Sequence, residues 1–493
     1  MDKLLGAMGL TAIAGLIAVG IVGAVISELN KRYVQSQKPV VLWSILATLV
    51  LVGGLVTLLE NPIRDAWLRA SGRLAFDGSR SVGPPVVIGI YPDKAFGPLH
   101  RDGLNSAIAK DPSLQVVNLI APLEAMKTGK ADDLLRQLRT QITTRNVVAV
   151  VGPPVTEFTG PVIRAVWQTG RKPPVFITSA APREPVGWDG AGISLFRVNS
   201  GVDERIDEFL ELANASIAKG VPLSFLVEQS ENSGEKLYGQ LVFDAIVAKL
   251  PLWDEWMAQR KISVTYYTRG DITGERVKSQ LDRLTAQPRI IMLLGTGGDY
   301  MAVADAFYKA GEPPRAAMLG GWMNAYDAHS KFSSAPYQWN RLFEITDVDI
   351  EPSRPRSPDD AHFASLFGEL SPAVRDQAFS YDAGIIVADA FRAVRAERRL
   401  TGKPVRADGD YLRRMVDRIR RSDRIGVTGP IRFDPKLGQN VAGRGTQSGL
   451  MTYAAFDGGG RWSRLGGPGE VVKRALAPPP APAALAAADR NDR

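Results

Sequence analysis

Two long apolar runs open the chain, and short apolar runs alternating with amphipathic stretches fill most of the rest. Leu4–Ile26 is uncharged and almost wholly apolar. At the helical rise per residue it would extend about 34 Å, enough for a hydrocarbon layer of about 30 Å. Val40–Leu59 is a second such run, broken only by Ser44, Thr48 and Thr57. The pattern predicts a transmembrane hairpin over residues 1–61, with spans 4–26 and 40–59. The first run exceeds the apolar core of a cleaved leader, about 7–15 residues, and its start is weakly basic. A hairpin puts both of its ends on one side. Lys31, Arg32 and Lys38 in the loop favour one orientation, and Arg64, Arg69 and Arg73 beyond the second span favour the other.

Residues 62–85 read as a polar, Gly-rich linker. From Val86 the apolar runs shorten to strand length. VVIGIY (86–91), LQVVNLI (114–120), VVAVVG (147–152) and VFIT (175–178) read as strands. The near-continuous valine of the third suits a parallel strand buried on both faces. Between them a helix is expected to start at Ser106, and residues 131–145 place Leu134, Leu135, Leu138 and Ile142 on one helical face. The alternation then repeats. Residues 202–220 form an amphipathic helix ending at Gly220, a residue suited to the left-handed turn after a helix. LSFLVE (223–228), ISVTYYT (262–268), RIIMLLG (289–295), AAMLGG (316–321) and RLFEITDVDI (341–350) read as strands, with helices at 236–250, 275–285 and 299–310. Helices at 380–397 and 411–422 follow, then a turn and strand at 426–434 and a closing hairpin at 450–457 and 461–465. Two consecutive runs of strand and helix predict an α/β fold of two doubly wound lobes. Residues 467–493 end in a Pro/Ala-rich stretch with too little core-forming material to fold, and are expected to be a flexible tail.

Composition narrows the function. Apolar content of 45% and charged content of 23% are those of a globular protein. There is no cysteine, which removes disulfides, thiol catalysis and cysteine metal sites. His100, His329 and His362 have no ligand spacing, so no metal is expected and each reads as a surface or capping residue. No cofactor is expected either. The chain carries no G-x-S-x-G, P-loop, dinucleotide or H-E-x-x-H motif; GTGGD (295–299) lacks the lysine of a phosphate loop. The net charge is +8, and Arg392, Arg395, Arg398, Arg399, Arg413, Arg414, Arg418, Arg420, Arg421 and Arg424 fall in one stretch. They are either the wet face of two helices or a contact for anionic lipid or an acidic partner. No nucleic-acid reader motif accompanies them.

Several segments share a family's look. VVAVVGPPVTEFTGPV with PVFITSAAP, then FLVEQSENSGEKLYGQ, IIMLLGTGGDYMAVADAF, YDAGIIVADAF and GVTGPIRFDPKLGQ arrive in the order found in type I periplasmic solute-binding proteins. Over residues 86–466 the chain resembles the branched-chain amino-acid and amide group of ABC importers. The hairpin lies outside the resemblance, and without cysteine there is no lipobox. The resemblance implies a two-lobed, Venus-flytrap receptor joined by a three-crossover hinge. Lobe one would comprise about 84–199 and 347–424, and lobe two about 200–346 and 425–466. It also implies a small-molecule solute, no enzymatic activity, and an ABC permease or a membrane signalling partner. With the hairpin, it places the chain in the cell membrane as a two-pass protein with an extracytoplasmic binding domain.

By the same resemblance, Thr156 falls where a hydroxyl meets a ligand carboxylate. Ser179, Ala180 and Ala181 fall on the loop that offers backbone N–H groups. Tyr238 falls on the second-lobe wall, Gly297 and Gly298 where backbone comes close, and Trp322 at a further loop. Thr156 also reads as a helix cap, and Ser179 and Ala180 as turn residues. Two departures bear on the ligand. Pro182 stands where the family has a hydroxyl, and proline donates nothing. GGWMN (320–324) stands where the family's acidic partner for an α-ammonium belongs; Asp299 or Asp327 would have to replace it. An unpaired buried charge costs several kcal/mol, so an amide, an aromatic or another less charged solute is the expected ligand. A scaffold or assembly protein that keeps the fold without a ligand is the alternative.

Overall fold

VVIGIYP at Val86–Pro92 is buried at every position, as a strand covered on both faces must be. This is strand β1 of a computed structural model. The structure describes residues 83–170, 172–178, 195–199, 202–229, 238–268, 288–295, 299, 303, 317–321, 342–346, 348, 350, 356–371, 374–401, 407–433, 452–456 and 462–477. The chain divides after Gly78 into two compact units, and all of the described residues belong to the second.

After β1 come α1 (Gly97–Ile108), β2 (Gln115–Ala121), α2 (Leu123–Lys127) and α3 (Asp132–Thr144). Two aspartates occupy the first turn of α3, where the helix dipole favours negative charge. Leu134, Leu135, Leu138 and Ile142 are its buried face, as the periodicity predicts. Then follow β3 (Val147–Val151), α4 (Thr156–Trp167), β4 (Val175–Thr178) and β5 (Leu195–Arg197). The five strands are parallel, in the order β2-β1-β3-β4-β5.

The second run repeats this order. It comprises α5 (Val202–Ala218), β6 (Leu223–Gln229), α6 (Tyr238–Lys249), α7 (Trp253–Ala258) and β7 (Ile262–Thr268). Gly220 follows α5 with φ +71°, the expected helix stop. β8 (Ile290–Leu294), β9 (Ala317–Gly321) and β10 (Leu342–Thr346) complete the parallel part. Reading outward from one edge, the order is β7-β6-β8-β9-β10, the same second-first-third-fourth-fifth pattern as in the first sheet.

The rest of the chain serves both sheets. α8 (Asp360–Phe367), α9 (Arg375–Leu400) and α10 (Gly409–Arg420) precede a hairpin of β11 (Asp423–Gly426) and β12 (Gly429–Arg432). β13 (Thr452–Phe456) and β14 (Trp462–Arg464) extend the second sheet beyond β10 in antiparallel fashion, which gives it seven strands. α11 (Pro468–Leu476) ends the described part. One face of the first sheet packs on α1, α9 and α10 through Val87, Val148, Leu104, Phe391 and Met415, and the other face on α2, α3 and α4. The second sheet packs with α5, α6 and α11. Ile431 and Phe433, beyond the expected lobe boundary at 424, pack with the first sheet rather than the second. The hairpin is therefore part of the first layer, held there by Asp382 of α9. The buried Asp382 carboxylate accepts the N–H groups of Val427 and Thr428 at 2.8 and 2.9 Å and the Thr428 hydroxyl at 2.7 Å.

The structure corrects several expectations. The two-pass membrane location with an extracytoplasmic domain does not stand: among the described residues no helix is long and apolar enough to cross a membrane. α9 has the length, but Asp376, Asp382, Asp389, Arg392 and Arg395 interrupt it. The expected spans 4–26 and 40–59 lie outside the described residues, as do the helix at 275–285 and most of that at 299–310. The helix expected from Ser106 begins at Gly97 instead. Proline is tolerated in its first turn, and burial of Leu104, Ala107 and Ile108 stabilises it. The segment expected as a tail from residue 467 starts with α11, whose Val471, Val472 and Ala475 are buried; residues 478–493 lie outside the described residues.

His100 is a core residue, 4% exposed, not a surface cap. Its Nδ1 lies 2.7 Å from Ser380 Oγ and its Nε2 3.5 Å from Asp376. His362 is half-buried beside Tyr381, and His329 lies outside the described residues. The arginine stretch is largely a network between α9 and α10. Arg398 is buried, forks onto Asp408 at 2.7 and 2.5 Å and covers the Tyr411 ring. Arg414 and Arg418 reach Glu397, Arg413 reaches Asp410, and Arg424 reaches Asp359 and Asp389. Much of the cationic charge is thereby neutralised inside the chain, in keeping with the helix-face reading.

Candidate functional site

In an open parallel sheet the ligand crevice lies beyond the carboxyl ends of the strands, where the strand order reverses. Here the reversal falls between β1 and β3 in the first sheet, and between β6 and β8 in the second. Four loops therefore line the two candidate crevices: those after β1, β3, β6 and β8. The loops after β4 and β9 are next to them.

Two of the expected site residues, Thr156 and Tyr238, are described, and both start the helices that follow these loops. Thr156 is the first residue of α4, reached by residues 152–155 from the end of β3. Val155 at the N-cap makes no side-chain capping bond. A helix start of this kind can meet an acceptor group with its own N–H groups. Tyr238 opens α6, on the segment that follows β6. Ser179, Ala180 and Ala181 follow directly on Thr178 at the end of β4, and Trp322 follows Gly321 at the end of β9. These four residues, with Gly297 and Gly298, lie outside the described residues, as do Pro182, Asn324 and Asp327.

The described residues show how the loops are anchored. In the first sheet the Gly152 N–H donates to Ile177 O at 2.8 Å. The Thr178 hydroxyl, fully buried, donates to Pro153 O at 2.8 Å. The loop after β3 is thus stitched to the end of β4. The loop after β1 is tied to β2: Asp93 N–H donates to Ala121 O, and the Asp93 carboxylate accepts the Leu123 N–H at 3.0 Å. Tyr91, at the end of β1, is buried, and burial pushes its phenol well above the usual range, so it stays neutral.

In the second sheet the start of α6 lies against the end of β8. A Cβ on Gly239 would come within 2.0 Å of Leu294 O, so only glycine lets the two backbones meet. Tyr267, on β7, directs its hydroxyl to Asp299 Oδ2 at 3.2 Å, and both residues are buried. Asp299, one of the two acids that could replace the missing ammonium partner, thus accepts the Tyr267 hydroxyl with one of its carboxylate oxygens. Sequence reasoning missed the loop after β1, Thr178 and Tyr267. Their roles depend on strand order, which local periodicity does not encode.

No group of three or more acidic or histidine side chains that could hold a metal occurs among the described residues. No family model matches the sequence, and comparison with curated proteins found no match. Solved structures do match. A branched-chain amino acid transporter substrate-binding protein, LivJ of Streptococcus pneumoniae, in complex with isoleucine, is 14% identical with a TM-score of 0.53. That match covers 77% of this chain and 99% of the other. A possible leucine/isoleucine/valine-binding protein of Rhodopirellula baltica is 15% identical, covers 81% and 100% of the two chains, and has a TM-score of 0.54. A solute-binding protein of an ABC transporter from R. palustris, in complex with benzoate, is 12% identical, covers 78% and 96%, and has a TM-score of 0.53. This chain has the α/β type I periplasmic-binding-protein fold.

Proposed function

We propose that residues 86–466 form a solute receptor whose two lobes close on a small molecule, for ABC-type import or for ligand sensing. The observation that supports this reading is the repeated strand order. Each sheet presents a reversal point with loops at its carboxyl side, and the sequence of those loops carries no catalytic motif. Proteins of the same fold that bind isoleucine or benzoate support it further. On this reading the chain is not an enzyme. Its lobes are about 84–199 with 347–433, and 200–346 with 452–466, and three crossovers between them make the hinge.

The Thr156 hydroxyl and the N–H groups of Ser179, Ala180 and Ala181 would meet an acceptor on the solute. Tyr238 and Trp322 would supply wall, and Gly297 and Gly298 close backbone approach. With GGWMN at 320–324 in place of an acidic residue, and with Asp299 bonded to Tyr267, this reading has neither Asp299 nor Asp327 facing the solute, and an α-ammonium would be left unpaired. The solute class that fits is an amide or an aromatic carboxylate rather than a free amino acid. A thermal-shift panel of benzoate, benzamide, L-leucine and L-valine tests this. Stabilisation by the first two is expected; tight binding of leucine or valine would overturn the solute class. A permease or a signalling protein is the partner such a receptor serves.

A further inference from the structure

We infer that Thr178 and Tyr267 are positioning residues, one in each lobe, that hold the ligand-facing loops in place without touching the solute. The inference rests on the receptor reading above. Both are buried hydroxyls at the carboxyl ends of strands, and both reach sideways to a neighbouring loop.

In the first sheet Thr178 ends β4 and immediately precedes Ser179. Its hydroxyl bonds Pro153 O at 2.8 Å, three residues before Thr156. One side chain thus couples the loop that carries Thr156 to the loop that carries Ser179, Ala180 and Ala181. A valine would keep its volume and remove the bond, which makes the role separable from packing.

In the second sheet β7 and β8 are not neighbours, because β6 lies between them. Strands are about 4.8 Å apart, so a group on β7 must reach across roughly 10 Å to touch the loop after β8. Tyrosine has the length, and its hydroxyl passes the end of β6 to Asp299. Gly295 leaves the path open: a Cβ there would lie 1.8 Å from the Tyr267 oxygen and 3.0 Å from Asp299 Oδ2. Asp299 directly follows Gly298. The bond therefore ties the loop of Gly297 and Gly298 to the far side of the strand that leads to Tyr238.

In both lobes the partner lies just beyond a strand at the reversal point and outside the sheet ladder: Pro153 in the loop after β3, and Asp299 at a helical position after β8. That placement separates the two bonds from ordinary core satisfaction. They fix the spacing of the loops on either side of each crevice.

Hydrogen exchange of Thr178→Val, Thr178→Ser and Tyr267→Phe tests the inference. Thr178→Val is expected to speed amide exchange in residues 152–158 about tenfold, the effect of one lost hydrogen bond, with β1 and β3 unchanged. Thr178→Ser is expected to restore the slow rate. Tyr267→Phe, like Thr178→Val, is expected to speed exchange about tenfold, here in residues 295–303. Calorimetric titration with benzoate is the second arm, with affinity expected to fall about tenfold in Thr178→Val. Loop exchange equal to wild type, or acceleration spread evenly over a whole lobe, would overturn the positioning role. If the wild type binds neither benzoate nor any other compound of the panel, the receptor reading fails, and the exchange data still decide the role of the two hydroxyls.

Discussion

The Asp382 carboxylate, in the first third of α9, accepts both the Thr428 hydroxyl at 2.7 Å and the Thr428 N–H at 2.9 Å. Burial raises its pKa, and the bonds from Thr428 and Val427 oppose that. The buried side chain closes the turn between β11 and β12. Asp382→Ala strands three buried donors and is expected to cost about 3 kcal/mol in urea unfolding. Asp382→Asn keeps one acceptor oxygen and is expected to cost less. Equal losses for the two variants would mean that the hydrogen bonds are not what fixes the hairpin.

His100 predicts a pH dependence. Burial lowers its pKa below 6.5, Arg375 adds to the lowering, and Asp376 opposes it. Ser380 and Asp376 face it from α9, and Phe96 stacks edge-on beside it. Between the lowered value and 6.5 the unfolded chain binds more protons than the folded one. The stability supplied by neutral His100 is therefore full above pH 6.5 and is lost as the pH falls through that window. His100→Gln is expected to flatten the fall of the melting temperature as the pH drops below 6.5. A slope unchanged by the substitution would assign the titration to another group.

Arg398 is the buried end of the arginine network, 4% exposed, and it pairs with Asp408, which is 36% exposed. Asp408 also caps α10 by accepting the Tyr411 N–H at 2.8 Å. Asp408→Ala removes the cap and the two short bonds to Arg398, leaving Arg398 with Asp410, so a loss of about 1–2 kcal/mol is expected. Arg413, two-thirds exposed beside Asp410, is expected to change stability by no more than about 0.5 kcal/mol when replaced by alanine. Denaturant midpoints of the two variants check the contrast.

Gly239→Ala sets a Cβ 2.0 Å from Leu294 O. The start of α6 must then move off β8, at a cost of about 1–3 kcal/mol. Tyr238 moves with it. Solute affinity is expected to fall alongside the melting temperature, whereas Gly160→Ala on α4, where a Cβ meets only the end of Arg164 at 3.5 Å, should lower neither.

The parallel strands were legible because burial on both faces writes a continuous apolar run, as in Val147–Val151 and Ile290–Leu294. The amphipathic face of α3 was legible for the matching reason. α1 was not, because Gly97, Pro98 and Gly103 read as a turn until α9 is known to pack on them. α11 was hidden by the Pro/Ala-rich stretch that follows it, and its apolar stripe needs α5 as a partner. The candidate loops could be placed from sequence, since each follows an apolar strand. The groups that anchor them could not, because Thr178 and Pro153, or Tyr267 and Asp299, meet only once the strands are ordered.

The most direct test of the account is a calorimetric titration of the chain with benzoate and L-leucine, run on the wild type and on Thr156→Val. The account predicts saturable binding of benzoate, weakened by Thr156→Val, and no binding of leucine. Saturable leucine binding would contradict the solute class, and an absence of binding by both compounds and by the rest of the panel would contradict the receptor itself.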